Sequence, residues 1–226
     1  FLTDFYTGRY PGSFASGAPF QENKQTGDAR ISGTCASLCG LEKALAEQDQ
    51  AKIELAIQRI LLLHGVIVML GGIPLLYIGD ELGTLNNYDY DLDSAKLGDT
   101  RWLHRSRFDW EMAEQRRDSD SVTGRIYQGI LRLIQLRQQN PAFSHAETEF
   151  TDSGNPHVLS FFRNNGQYSV FVLANFSEHE QRLEARRLRL LGLRKTMVDL
   201  FGGHTITATQ ELIMAPYQIL VLSRGA

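Results

Sequence analysis

The chain has 226 residues, 42% of them apolar and 22% charged, with a formal net charge of −3. That length holds one large domain or two smaller ones, and the composition is that of a soluble protein with an ordinary core. The slightly acidic balance excludes the electrostatic signature of a nucleic-acid binder or of a protein held on anionic lipid.

Residues 1–31 are rich in Gly, Ser, Pro and aromatics and follow neither a helical nor a strand period, so they read as a long functional loop. No leader-like segment follows Phe1, and we expect the natural amino terminus to lie upstream. A helix is expected from Ser32 or Gly33 to about Gln48. Cys35 and Cys39 share one face of it as small core side chains rather than as a disulfide or metal pair. Their use slightly favours a reducing, cytoplasmic compartment. A second helix is expected over residues 51–70, with Ile53, Ala56, Ile57, Ile60, Leu61 and His64 on one stripe.

The stretch 60–78 is uncharged and long enough to span a bilayer, but His64, Gly71, Gly72 and Pro74 interrupt it. A buried helix followed by a buried strand over residues 73–78 is the better reading. Such an uninterrupted apolar run suits a parallel strand covered on both faces. Asp80 and Glu81 follow at its carboxyl end, where α/β barrels carry out their chemistry. Residues 79–108 then form a loop rich in Asp and Asn, and a long helix over 122–139 stops at Asn140-Pro141. Its stripe is Ile126, Ile130, Leu133, Ile134 and Leu136.

After Phe143 the pattern changes to short β-type runs, beginning at Val158, Tyr168, Thr196, Thr205 and Gln218, separated by Asn-Gly and Gly-Gly turn signals. The fold class is therefore α/β plus all-β: residues 1–143, then an antiparallel β-sandwich domain over 144–226.

Four phrases narrow this further: Gln21-Glu-Asn23; Thr26-Gly-Asp-Ala-Arg30-Ile-Ser-Gly-Thr34; Gly79-Asp-Glu-Leu-Gly-Thr-Leu-Asn86; and Thr100-Arg101-Trp102. Together they resemble the amylosucrase branch of the α-amylase superfamily, sucrose-active glycoside hydrolases and transglycosidases. The resemblance implies that residues 1–143 are the C-terminal remnant of a (β/α)8 barrel, since a complete barrel needs about 250 residues. It implies sucrose or α-glucan as substrate and a retaining mechanism with two carboxyl groups across the scissile bond. It requires no cofactor.

The family's catalytic carboxylates are expected upstream. No His-Asp dipeptide occurs in this chain, and Arg107-Phe108-Asp109 follows a polar loop rather than an apolar strand. We therefore assign no catalytic residue here and expect the chain alone to be inactive. The resemblance makes Arg101 a substrate-pocket residue whose carboxylate partner lies upstream, so that Arg101 is left without it here. It sets Arg30 with Asp28 on the acceptor side. Gln21, Asn23 and Phe20 offer amides and a ring to sugar hydroxyls and faces; a Gly-rich loop held by its own hydrogen bonds is the competing reading.

Other clusters resolve into structural roles. Asp80 and Glu81 are adjacent at a strand end, point apart, and read as rim groups. Residues 89–93 imitate an EF-hand opening, but Ser94 and Thr100 occupy its Gly and Glu positions. The basic residues Arg182, Arg186, Arg187, Arg189, Arg194 and Lys195 are interleaved with Glu178, Glu180 and Glu184 and form no anion-binding stripe. The histidines lack ligand spacing, so no metal is expected. Expected partners are the missing N-terminal part of the same enzyme, or a second copy docked on the exposed barrel remnant; neither nucleic acid nor membrane is expected. The rival class is a free-standing, non-catalytic glucan-binding module, for which Phe161, Phe162 and Tyr168 would have to form an aromatic platform.

Overall fold

The computed structural model describes residues 1–193, 196–207 and 209–224. The chain divides into two compact units, residues 1–60 with 76–128, and residues 61–75 with 129–226.

The first unit opens with helix α1 (Leu2–Tyr6) and an antiparallel hairpin of β1 (Ala18–Phe20) and β2 (Arg30–Ser32). The expectation of a structureless loop over residues 1–31 is thus corrected at both elements, which are too short to show a period. The single helix expected from Ser32 or Gly33 to Gln48 is two: α2 (Cys35–Leu38) and α3 (Leu41–Ala46). Thr34 caps α2 by accepting the Ser37 N–H at 3.2 Å. Gly40 then ends it at φ +90°, a left-handed conformation that side chains resist. A Cβ at Gly40 would also come 3.0 Å from Phe14 Cβ.

Helix α4 (Gln50–Met69) matches its predicted span, and Ile53, Ala56, Ile57 and Ile60 are buried. Among the described residues no helix is long and apolar enough to cross a membrane.

Three 3-10 turns follow, at Asp80–Leu82, Tyr88–Leu92 and Thr100–His104, and then α5 (Trp110–Glu114). Leu82 and Leu103 anchor this loop in the unit's core at 1% exposure each. Asp109, the last residue of the Arg-x-Asp phrase, accepts the Met112 N–H at 2.8 Å and caps α5. Helix α6 (Val122–Gln139) has its predicted limits, with Ile126, Ile130, Leu133 and Leu136 buried.

The strand expected over residues 73–78 does not form. Every strand pairing among the described residues is antiparallel and none includes this segment. It is open to solvent, with Ile73 97% and Leu75 84% exposed. A strand exists only through a ladder with neighbours.

In the second unit one sheet runs in the order β3 (Glu147–Thr151), β4 (Val158–Asn164), β5 (Ser169–Asn175), β10 (Ile219–Arg224), β7 (Thr196–Asp199), β8 (Thr205–Thr207). A two-stranded sheet pairs β6 (Gln181–Leu183) with β9 (Leu212–Met214), and α7 (Ala185–Leu190) follows β6. Leu183, Leu212 and Met214 of the small sheet and Leu188 of α7 share one core with Phe171, Leu173, Leu220 and Leu222 of the large one.

In the basic run, Arg182 pairs with Glu211 and Arg187 with Asp152, both at 2.9 Å, while Arg194 and Lys195 lie outside the described residues. On α4, Gly65 permits close approach to the large sheet: a Cβ there would fall 2.7 Å from Ile219 Cδ1.

Candidate functional site

The predicted site residues cluster around the β1–β2 hairpin. Phe20 and Arg30 are directly paired across it and bracket the loop 21–29. That loop is closed by its own bonds. The Asn23 N–H donates to the Asp28 carbonyl at 2.7 Å, and the Gly27 N–H to the Asn23 carbonyl at 2.8 Å. Asn23 Oδ1 accepts the Gln25 N–H at 2.9 Å, an Asx turn that uses the amide oxygen the sequence assigned to ligand. Gln21 turns the chain at φ +54°. Gln21, Asp28 and Arg30 are exposed, and neither Asp28 nor Arg30 forms an ion pair among the described residues.

The turn Thr100–His104 is tied to this hairpin by Thr100 Oγ1, which donates to the Pro19 carbonyl at 3.0 Å. Arg101 extends over the Phe20 ring, Cζ 4.9 Å from its centroid. Its Nε and Nη2 each donate to one oxygen of Asp99 at 2.8 Å, a bidentate fork. Arg101, expected here without its upstream carboxylate partner, is held by a local one, Asp99, two residues away. The same carboxylate also accepts the Arg101 N–H as the turn's cap. The hydrogen bonds from the Arg101 guanidinium hold the Asp99 carboxyl down to about 2. Asp99 could have been found from sequence by asking which carboxylate caps the turn carrying Arg101.

Beside this cluster lies a groove of about 700 Å³ whose lining includes Asn87, Asp89, Tyr90, Lys96, Trp102 and Arg105. Lys96 Nζ stands 5.1 Å and Arg105 Cζ 5.6 Å from the Trp102 ring centre. Asp93, from the EF-hand-like stretch, pairs with Lys96 at 2.9 Å. On the far side of this loop the Tyr77 ring meets His104 edge-on at 6.1 Å, and burial pushes the His104 imidazole below its usual pKa.

Two of the sequence phrases meet beneath this surface. Asn86, which closes the Gly79–Asn86 phrase, accepts the Thr34 N–H at 2.9 Å and donates to the Ser16 carbonyl through Nδ2. Its own N–H donates to Ser37 Oγ at 3.0 Å. Ser37 Oγ donates to Glu42 at 2.5 Å, and Tyr88 OH donates to the other Glu42 oxygen at 2.6 Å. Burial, then the bond to Glu42, raises the Tyr88 pKa. Nothing in the local sequence marked Glu42 or Tyr88, because their partners lie 46 residues apart. Glu81 folds back to accept the Gly79 N–H at 2.8 Å, as a rim group would.

A charged fork over an aromatic ring, an exposed amide-bearing loop and a polar groove beside an indole together suit a neutral, hydroxyl-rich ligand: charge-assisted donors fix hydroxyls and ring faces cover C–H surface.

Comparison with known proteins defines the class. In fold, the chain resembles solved amylase-family structures. One is AmyP with bound maltotriose (18% identity, 83% of this chain and 38% of that one, TM-score 0.61). Another is the trehalulose synthase MutB from Pseudomonas mesoacidophila MX-45 (16% identity, 74% and 38%, TM-score 0.53). In sequence it is 27% identical over 165 residues to glucosylglycerate phosphorylase of Escherichia coli (strain K12), covering 72% of this chain and 27% of that protein. Residues 148–223 match the family model described as the amylosucrase C-terminal domain. The resemblance to an amylosucrase-like enzyme of the α-amylase superfamily, drawn from the four phrases, is thus borne out.

Proposed function

We propose that this chain supplies the acceptor side and floor of the sugar pocket in a retaining, amylosucrase-like enzyme acting on sucrose or α-glucan. Residues 1–143 would be the end of its barrel and 144–226 its β-domain. Arg101, Arg30, Asp28, Gln21, Asn23 and Phe20 are the substrate-binding set, with Asp99 holding the Arg101 fork. The catalytic carboxylates belong to the remainder of the enzyme, and the chain alone turns nothing over.

The observation that carries this reading is the Arg101–Asp99 fork stacked on Phe20, which joins one family-like phrase to the residue before another, 81 positions away. The rival, a non-catalytic glucan-binding module, is disfavoured because Phe161 of its platform is wholly buried and Phe162 packs on Phe171 with ring centres 4.4 Å apart. The similarity to a phosphorylase adds a third outcome for the same pocket, transfer of the glycosyl group to phosphate.

The test is the full-length gene product supplied with sucrose or an α-glucan, with and without inorganic phosphate, and product analysis by chromatography. Turnover by that protein and none by residues 1–226 is the expected result. Glucan, free glucose or a glucose phosphate then identifies polymerase, hydrolase or phosphorylase. Glucan binding by this chain with no turnover by the full-length product would replace the enzyme with the binding module.

A further inference from the structure

The second unit buries a positive charge with no negative one beside it among the described residues. Arg163 on β4 is 3% exposed. Among the described residues its only hydrogen bond runs from Nη1 to Thr148 Oγ1, directly across the β3–β4 ladder. Nε is fully buried without an acceptor, and Nη2 has none either. The guanidinium lies against the turn after α4, where a Cβ on Gly71 would be 3.0 Å from Arg163 Nη1.

A second guanidinium holds the same turn. Arg137 on α6 donates to the Val68 carbonyl, to the Leu70 carbonyl at 2.6 Å and to the Gly72 carbonyl at 2.7 Å. The Val68 carbonyl, with that of Leu70 just past the last residue, lies at the negative end of α4, which compensates about half a charge. Two cations remain against that half. Glu147 and Glu149 flank Thr148, but strand alternation turns both to the opposite face, and both are exposed. Burial, then the nearby Arg137 charge, pushes the Arg163 guanidinium below its usual range. An arginine in this position cannot shed its proton.

A buried cation left without an anion is strongly destabilising, and an unsatisfied buried donor calls for an ion or water. Arg137 also lines an open cleft of about 370 Å³ with Gln138, Asn140 and Ser144, which brings solvent to the Arg137 side of the pair. We propose that Arg163 and Arg137, with Thr148, form a binding site for a small oxyanion of the sulfate or phosphate class. The anion neutralises the pair and fastens the end of α4 to the β3–β4 edge of the sheet.

The test is thermal unfolding of the 226-residue chain against sodium sulfate, at ionic strength held constant with sodium chloride. A site predicts a saturable rise in the unfolding midpoint, about 4 °C at ten times the dissociation constant, abolished in Arg163→Met. A rise that grows linearly without saturating is the general exclusion effect of sulfate and overturns the proposal, as does an unchanged saturable response in Arg163→Met. Should that variant not fold, diffraction from the unaltered chain soaked in selenate decides. A selenium peak within hydrogen-bond reach of Arg163 supports the site; peaks only elsewhere mean an adventitious ion only and overturn it.

Discussion

Asn86→Ala tests whether the two motif phrases depend on each other. The side chain satisfies the Thr34 N–H, a buried donor at the start of α2, and the Ser16 carbonyl. Alanine leaves both unpaired. The donor costs about 1–3 kcal/mol and the partly exposed carbonyl about 1 kcal/mol, so about 2–4 kcal/mol in all. For a chain of this size that is a fall of about 6–12 °C in the unfolding midpoint, read by circular dichroism. Asn86→Asp sharpens the argument. It keeps the acceptor for Thr34 but sets a carboxylate oxygen against the Ser16 carbonyl, close to the Glu42-bound Tyr88 hydroxyl. That environment disfavours the charged form, so the new carboxyl has a raised folded pKa. A raised carboxyl costs stability above its folded pKa and recovers it as pH falls through that value toward the unfolded one, about 3.9. The deficit of Asn86→Asp against the native chain should therefore shrink between neutral pH and about 4. An alanine variant within about 0.5 kcal/mol of the native chain, or an aspartate deficit indifferent to pH, would refute the coupling.

Three further predictions follow from the same structure. A Cβ at Gly124 would land on the Asp118 carbonyl oxygen and 2.9 Å from that of Gln115; since these are backbone atoms, Gly124→Ala should cost at least about 1–3 kcal/mol in urea unfolding. Asp199 is 1% exposed and its carboxylate accepts the N–H groups of Phe201, Gly202 and Val221; Asp199→Ala should cost about 3 kcal/mol or more, and Asp199→Asn less, because it keeps one acceptor oxygen. The Asp99 carboxyl, depressed by Arg101 to about 2, contributes stability that is present above the unfolded value of about 3.9 and is lost as pH falls through the folded one. Carboxyl NMR should show it ionised through pH 4, whereas an ordinary titration midpoint near 4 would remove the fork from solution.

The features legible in the sequence are those with a local physical cause. Helices α4 and α6 announce themselves by apolar stripes and by terminators such as Asn140-Pro141. β4, β5 and β10 announce themselves by apolar runs. The strands β3, β6 and β9 were not legible, because their stability comes from partners elsewhere in the chain. The same holds at the site. Arg101 and Phe20 could be singled out, but only folding brings the ring beneath the guanidinium. The Asp99 fork is hidden for another reason: the carboxylate that satisfies the charge is the turn's own cap, two residues away.

The segment 73–78 went wrong in an instructive way, since its composition says strand and its surroundings say otherwise. Ile73, Leu75 and Ile78 are 97%, 84% and 63% exposed, and Tyr77 is 47% exposed. Fully burying one such aliphatic side chain is worth about 1.5–3 kcal/mol, so covering the three yields about 4–8 kcal/mol, before any ladder bonds. An apolar strip of this kind is a template for another strand. In the proposed enzyme the rest of the barrel would cover it; in this chain alone, the prediction is that a second copy does. The chain should then sediment as a concentration-dependent dimer, and Ile73→Lys with Leu75→Lys should return it to monomer without loss of helix or sheet signal. A monomer at all concentrations, with the lysine pair unchanged in behaviour, would mean the segment stays an open loop.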